Sequence, residues 1–199
     1  MKPSDVKAFC AVIVFSISSA LQANDIEKIP SAYIDYAVIN GVPPEVLYAV
    51  SLQESVDYNH VFVARSVGKR PWPWTLNVRG KSLRFKSKED ACAVLKSSLE
   101  VTKIIDVGLT QLNVRYQPQL FGENGIFQDP CDGLNPYDNL NEAAKLLSER
   151  FNTHKDWVIA AGRYHRPAGG APAAKYSQSV ARKLQSLGFS HYQYQSANR

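Results

Sequence analysis

Residues 41–57 read GVPPEVLYAVSLQESVD, and the fold turns on how this stretch is taken. Pro43 and Pro44 suit a helix start, where a missing backbone N–H leaves no bond unmade. Val46, Leu47, Val50 and Leu52 then make a mostly apolar segment, with Ala49 allowing a neighbour to approach closely. A helix that is apolar around most of its circumference belongs inside a protein. Glu54 arrives near its end. A carboxylate in that setting either caps local polar groups or is held at a raised pKa and works as an acid.

Toward the N-terminus, Asn40-Gly41 closes a preceding segment, residues 26–39. Ile26, Ile29, Tyr33 and Ala37 keep helical spacing there, with Asp25 as a candidate N-cap and Pro30 moving the regular helix toward itself. Residues 1–23 have the plan of an export signal. Lys2 and Lys7 precede an apolar and small run over 8–20, with cleavage expected after Ala20 or Ala23. That run is short for a bilayer, and no later one approaches the ~20 apolar residues of a spanning helix. The expectation is an exported or periplasmic protein without a stable membrane span once the signal is removed; an uncleaved anchor is the alternative. The remainder divides into one domain over 24–189 and a polar tail over 190–199.

About 175 residues remain after the signal, enough for one sizeable core. Without Lys2, Lys7 and Asp5 the net charge falls from +5 to about +4, and no block of like charges stands out. That excess permits an anionic polymer as partner and gives no sign of nucleic acid. Cys92 and Cys131 are the cysteines left after signal removal, a plausible disulfide in an oxidising compartment. The histidines at 60, 154, 165 and 191 are scattered and no CxxC or HxxxH occurs, so neither a metal nor another cofactor is expected.

Downstream of the quoted stretch, residues 59–67 are ambiguous but partly apolar. Pro71-Trp72-Pro73-Trp74 cannot be regular helix. Residues 75–78 read as a strand, Arg79-Gly80 as a turn and 83–85 as the returning strand. Ser87 with Asp90 resembles a capping box and opens a helix with Ala91, Val94, Leu95 and Leu99 on its apolar face. Residues 104–107 are an extended link, 109–116 one or two helical turns, and 118–136 a loop anchored by Cys131. Asp138 or Asn139 is the expected cap of a helix to Phe151, followed by helices over 157–164 and 173–187. The fold class is mainly α, one domain carrying a small β-hairpin.

Four segments then fall in a telling order: Glu54-Ser55 at a helix end, Gly108-Leu109-Thr110-Gln111-Leu112-Asn113 after an extended link, Asn135-Pro136-Tyr137-Asp138-Asn139-Leu140 before Ala143-Ala144, and Ala160-Ala161-Gly162-Arg163-Tyr164-His165. Together they resemble the lysozyme-like lytic transglycosylases, the soluble lytic transglycosylase domain and its specialised relatives from conjugation and secretion systems. The likeness spans residues 27–187. Thr110 stands where that family has methionine, implying a smaller and more polar group beside the sugar, and His165 stands where asparagine is usual. The segment between Glu54 and Gly108 is longer, inserting the Pro71–Trp74 stretch and the hairpin.

The resemblance implies a lysozyme-like domain that cleaves peptidoglycan glycan strands, with conjugation or secretion-channel components as further partners. Glu54 is the expected acid, kept protonated by burial. Gln111 and Asn113 either offer amide hydrogen bonds across the cleft or cap a short helix. Ser55 either meets substrate or secures the helix end. The Tyr164 hydroxyl either lies near the acid or belongs to the core, and His165 either supports the cleft wall or is plain surface. Trp72 and Trp74 are either sugar platforms or cover for the core under the hairpin. A hydrolase would want a second carboxylate, for which Asp57 and Asp106 are the candidates. The family's own route instead has the muramic acid 6-hydroxyl attack internally, giving a 1,6-anhydro end. The alternatives are a muramidase or chitinase, or a non-enzymatic assembly protein that binds glycan.

Overall fold

The computed structural model describes residues 29–57 and 69–195. The export signal over 1–23, the Asp25 cap, the ambiguous stretch 59–67 and the last residues of the tail lie outside them. Helix α1 is Ser31–Ile39, starting directly after Pro30, and α2 is Pro44–Ser55. Pro44 takes the first position of α2, and Val46, Leu47, Tyr48, Ala49, Val50 and Ser51 are all buried. A helix buried on successive positions has no solvent face, so α2 runs through the core as its sequence indicated.

Strands β1 (Thr75–Val78) and β2 (Lys81–Arg84) form the expected hairpin. Its two-residue turn has positive φ at both Arg79 and Gly80, the geometry that matches strand twist. Helix α3 is Lys88–Leu99, and the Ser87 hydroxyl accepts the Asp90 backbone N–H at 3.1 Å. Strands β3 (Ile105–Val107) and β4 (Leu112–Asn113) extend the hairpin into a four-stranded antiparallel sheet of order β2-β1-β3-β4.

That sheet corrects the expectation of helical turns over 109–116. Gln111 has φ +52°, which breaks any helix, and the chain folds back on β3 instead. A single 3₁₀ turn, Pro130–Leu134, interrupts the long loop. Three helices complete the domain: α4 (Pro136–His154), α5 (Trp157–His165) and α6 (Gly170–Ser186). The cap of α4 is Asn135, whose side chain accepts from the Tyr137 N–H at 3.0 Å, and neither Asp138 nor Asn139. Asn139 is engaged elsewhere, as described below.

A contiguous core joins these elements, from Tyr33 and Val46 through Leu76, Leu95 and Val107 to Leu147 and Leu184. Cys92 on α3 and Cys131 in the 3₁₀ turn form a disulfide with Cα atoms 5.3 Å apart. Helices α5 and α6 approach closely at Gly162, where a Cβ would lie 2.2 Å from the Ser177 hydroxyl. Among the described residues, no helix is long and apolar enough to cross a membrane.

Candidate active site

The sheet has two chemically distinct faces, set by the period of two along each strand. Leu76 pairs with Val107 and Val107 with Leu112, and all three are fully buried. One residue along, Asn77 pairs with Asp106 and Asp106 with Asn113. This polar row faces a cleft of about 850 Å³, lined also by Glu54, Gln111, Leu146, Arg150, Tyr164 and His165. The sheet is therefore one wall, and the ends of α4 and α5 contribute to the other.

Glu54 reaches the cleft because the end of α2 is fastened on several sides. The Ser55 hydroxyl donates to the Leu109 carbonyl at 2.6 Å. Val56 pairs with Pro71, the Trp72 N–H donates to the Ser55 carbonyl at 3.0 Å, and the Asp57 N–H donates to the Arg70 carbonyl at 3.0 Å. The Glu54 side chain is only 16% exposed. Burial pushes its pKa up to about 8; a hydrogen bond from Tyr176 and the charge of Lys183 act downward, and the charge of Asp106 acts upward. Desolvation wins, and the carboxyl is mostly protonated at neutral pH.

Tyr176 on α6 supplies that hydrogen bond, its hydroxyl 2.6 Å from Glu54 Oε1. With the phenol donating to Oε1, the acid proton of Glu54 belongs on Oε2. His165 stacks on the Tyr176 ring, centroids 4.5 Å apart and planes within 8°, and its Nδ1 lies 4.0 Å from Glu54 Oε1. Burial, aided by Arg166, lowers the His165 pKa. At neutral pH both groups are mostly uncharged, so the 4.0 Å approach is a polar contact and not an ion pair. Nothing in the sequence points to Tyr176, which shares the helical stripe of Ala173, Val180 and Leu184 and reads as core.

Asp106 lies in the cleft, and its charge acts on Glu54. Its own pKa is raised by burial, against a 2.6 Å hydrogen bond from Asn113 Nδ2. The Asn113 amide oxygen accepts from the Arg115 and Tyr116 N–H groups, so this oxygen is committed to the loop and one N–H of the amide to Asp106. Gln111 donates from Nε2 to the carbonyls of Thr75 and Gly108, which leaves its amide oxygen for a ligand. Tyr164 lines the cleft while its hydroxyl donates to the Thr110 carbonyl at 2.8 Å.

Thr110 corrects a further expectation, for it is fully buried and cannot stand beside a sugar. Its N–H and hydroxyl both donate to Asn139 Oδ1, at 2.9 and 2.7 Å. Asn139 Nδ2 in turn donates to the carbonyls of Val107 and Gly133 at 3.0 and 2.9 Å. One buried amide thus ties the turn, β3 and the 3₁₀ segment together. Gly108 is required beside it, with φ +84° and a would-be Cβ 2.4 Å from Asn139 Nδ2.

Four sequence candidates stand away from the cleft lining. Ser55 is fully buried and holds the helix end. Asp57 is 2% exposed and does not line the cleft, unlike Asp106. Trp72 and Trp74 pack edge to face at 5.2 Å, and the Trp72 indole N–H donates to the Phe85 carbonyl at 2.8 Å, fastening the segment to the residue after β2. Conversely, Asn77 and Arg150 line the cleft without having been singled out. Asn77 alternates with Leu76 and Val78, and Arg150 follows Leu146 by one helical turn; both spacings point to the cleft face once its direction is known. Among the described residues, a single grouping, Cys92, Asp129 and Cys131, has metal-ligand proximity, and its two sulfurs are joined in the disulfide.

Compared with family models, with curated proteins and with solved structures, the chain gives no match.

Proposed function

We propose that this chain is a glycan-cleaving enzyme of lysozyme-like architecture, a lytic transglycosylase acting on the β-1,4 bond between N-acetylmuramic acid and N-acetylglucosamine in peptidoglycan. The observation that carries this reading is Glu54, a carboxyl with a pKa near 8 at the end of a buried helix, opening on a polar-walled cleft. A general acid works best when its pKa lies near the working pH. The four sequence segments noted above support the same reading, since three of them meet at this cleft.

In this mechanism Glu54 Oε2 gives its proton to the glycosidic oxygen as the C1–O bond breaks. The electron-poor C1 then accepts the 6-hydroxyl of the same sugar, whose proton passes to the Glu54 carboxylate. The products are a 1,6-anhydro end and a free 4-hydroxyl, with Glu54 again protonated and no water consumed. The reaction depends on holding the hydroxyl in line with C1, a task of orientation. The Gln111 amide oxygen is a group able to position the sugar. Export and local opening of the wall for a pilus, conjugation or secretion channel are the setting this activity suits.

One observation favours a second reading. Asp106 shares the cleft with Glu54, as the second carboxylate of a muramidase or chitinase would. Mass analysis of products from purified peptidoglycan separates the two. Transglycosylation gives ends lighter by one water and inert to borohydride, whereas hydrolysis gives reducible ends. Glu54→Gln is expected to abolish either product. A chain whose Glu54→Gln form still supports assembly of its machinery, and whose wild type releases no fragments, is the non-enzymatic binding protein instead.

A further inference from the structure

The positive excess of the chain is not spread evenly. Residues 58–88 contain no Asp or Glu, and Arg79, Lys81, Arg84, Lys86 and Lys88 crowd the hairpin and its exit. Two chain reversals stand side by side at this end of the sheet, the hairpin turn and the link from α3 into β3. Val78 pairs with Ile105, and the Arg79 N–H donates to the Ile104 carbonyl at 3.0 Å, so the two reversals are joined. The link is also held from within. The Val101 and Thr102 N–H groups donate to the Ser98 carbonyl at 3.1 and 2.9 Å, and the Thr102 hydroxyl accepts the Ile104 N–H at 3.1 Å.

This arrangement holds two aliphatic side chains in water, Val101 at 79% exposure and Ile104 at 37%. Beside them lie the exposed cations Arg79, Lys81 and Lys103, which have no ion-pair partner among the described residues. Of the acids close in sequence, Asp106 lines the cleft, and Glu100 alone stands against three cations. Arg79 takes the first turn position with φ +50°, where Asn, Asp or Gly costs less, so a charge is placed there against local preference. None of the five side chains lines the cleft. A lone exposed aliphatic residue needs no explanation, but two held outward by one hydrogen-bonded turn and flanked by cations form a surface of definite chemistry.

We propose that this tip docks on an anionic phospholipid surface, Val101 and Ile104 entering the headgroup boundary while Arg79, Lys81 and Lys103 meet lipid phosphates. Peripheral binding of this kind adds apolar burial to the attraction of an anionic leaflet. Two aliphatic side chains are few for a stable protein interface, which buries about 800 Å² on each partner. A bilayer accepts so small a tip because its lipids rearrange around it. The export signal expected over 1–23 would bring the chain to a membrane. The docking is independent of the reaction at Glu54 and goes beyond it, giving the enzyme a place and not a substrate.

Co-sedimentation of the full chain with vesicles tests this, with phosphatidylcholine alone compared against phosphatidylcholine containing phosphatidylglycerol. The readout is the ratio of the two partition coefficients, and the apolar run over 8–20 is common to every variant. In dilute salt the ratio is expected to reach at least the order of 100, about fivefold for each tip cation, and to fall as salt is added. Arg79→Gln, Lys81→Gln and Lys103→Gln together are expected to cut it roughly 100-fold. Val101→Ser with Ile104→Ser is expected to weaken binding to the anionic vesicles about tenfold. The matched change Lys155→Gln, Lys175→Gln and Arg182→Gln, at exposed cations of the helical side, is expected to lower the ratio by less than about threefold. All these positions are exposed, and cooperative thermal melts show that the variants stay folded. A wild-type ratio near one, a ratio that survives the tip variant, or an equal loss in the matched variant overturns the inference. So does tip-dependent binding to a single-stranded oligonucleotide or to polyglutamate by a chain that ignores the vesicles. Cleavage assays on the tip variant with soluble glycan fragments should match wild type, so failure of the enzymatic reading and failure of the docking are read separately.

Discussion

Two regions, one behind the sheet wall and one on the cleft itself, use polar groups in opposite ways. Behind the sheet wall, the Asn139 amide makes four hydrogen bonds with Thr110, Val107 and Gly133, and Asn113 answers Asp106 and two loop N–H groups. On the helical side, Glu54 has one short bond from Tyr176, His165 stands 4.0 Å away, and Arg150 Nε has no partner. A fully answered buried network holds one conformation, while an under-answered one leaves chemistry or binding to be completed by something else. The Asn139 network behind the sheet is scaffold; the cleft surface, where Asn77 Oδ1 on the sheet side also lacks a partner, is the working face.

The largest effect that tests this division is at Glu54. Glu54→Gln keeps an acceptor for Tyr176 but removes the proton, and strand cleavage is expected to fall by about 10²–10⁴-fold. Stability should move the other way. The pKa is about 8 in the folded protein against an ordinary 4.5, so the folded state binds a proton that the unfolded chain releases. Wild-type stability therefore declines as pH rises from 4.5 to 8, and the variant escapes that decline. Near pH 9 Glu54→Gln is expected to be more stable by on the order of 2–4 kcal/mol, with the gain vanishing near pH 4.5. Denaturant melts at the two pH values check it; a variant less stable at pH 9 would place Glu54 with the scaffold.

Asn139→Ala should behave in the opposite sense. It strands two carbonyls, one N–H and one hydroxyl in a site without solvent, and a loss of roughly 3–4 kcal/mol is expected at every pH. Opening the disulfide that braces the neighbouring 3₁₀ turn, with Cys92→Ala and Cys131→Ala together, is expected to cost about 2–4 kcal/mol. Because Gly133 in that turn accepts from Asn139, the two losses should fall short of adding in the combined variant. Strict additivity, measured by chemical denaturation, would mean the scaffold is not one unit.

The scaffold was the more legible region in the sequence, though for local reasons. Ser87 as a cap, Arg79-Gly80 as a turn, the apolar run of α2 and the Cys92–Cys131 pair each rest on nearby residues or on a count. The two failures there share a cause. Strand β4 is two residues long and exists because β3 accepts it, and Asn139 is withheld from capping because distant backbone groups claim its amide. Short strands and buried amides are decided by partners far along the chain. The cleft shows the same limit: Glu54, Asp106 and Gln111 stood out by type or motif, while Tyr176 meets Glu54 across 122 positions. Nothing local marks a tyrosine in an apolar stripe as the partner of an acid.

Tyr176→Phe is the finer test, because a scaffold role and a working role predict different signatures. Removing the hydroxyl takes away the group that pulls the Glu54 pKa down, and desolvation and Asp106 continue to push it up. The alkaline limb of the pH–rate profile, set by loss of the Glu54 proton, should therefore move above its wild-type position near pH 8. The plateau rate should drop by about tenfold, because the bond that fixes the proton on Oε2 and then stabilises the departing carboxylate is gone. A role confined to packing would lower stability and leave the limb where it was. A limb that moved downward would mean that Tyr176 supports the protonated acid and not its anion, and the assignment of the proton to Oε2 would fall with it.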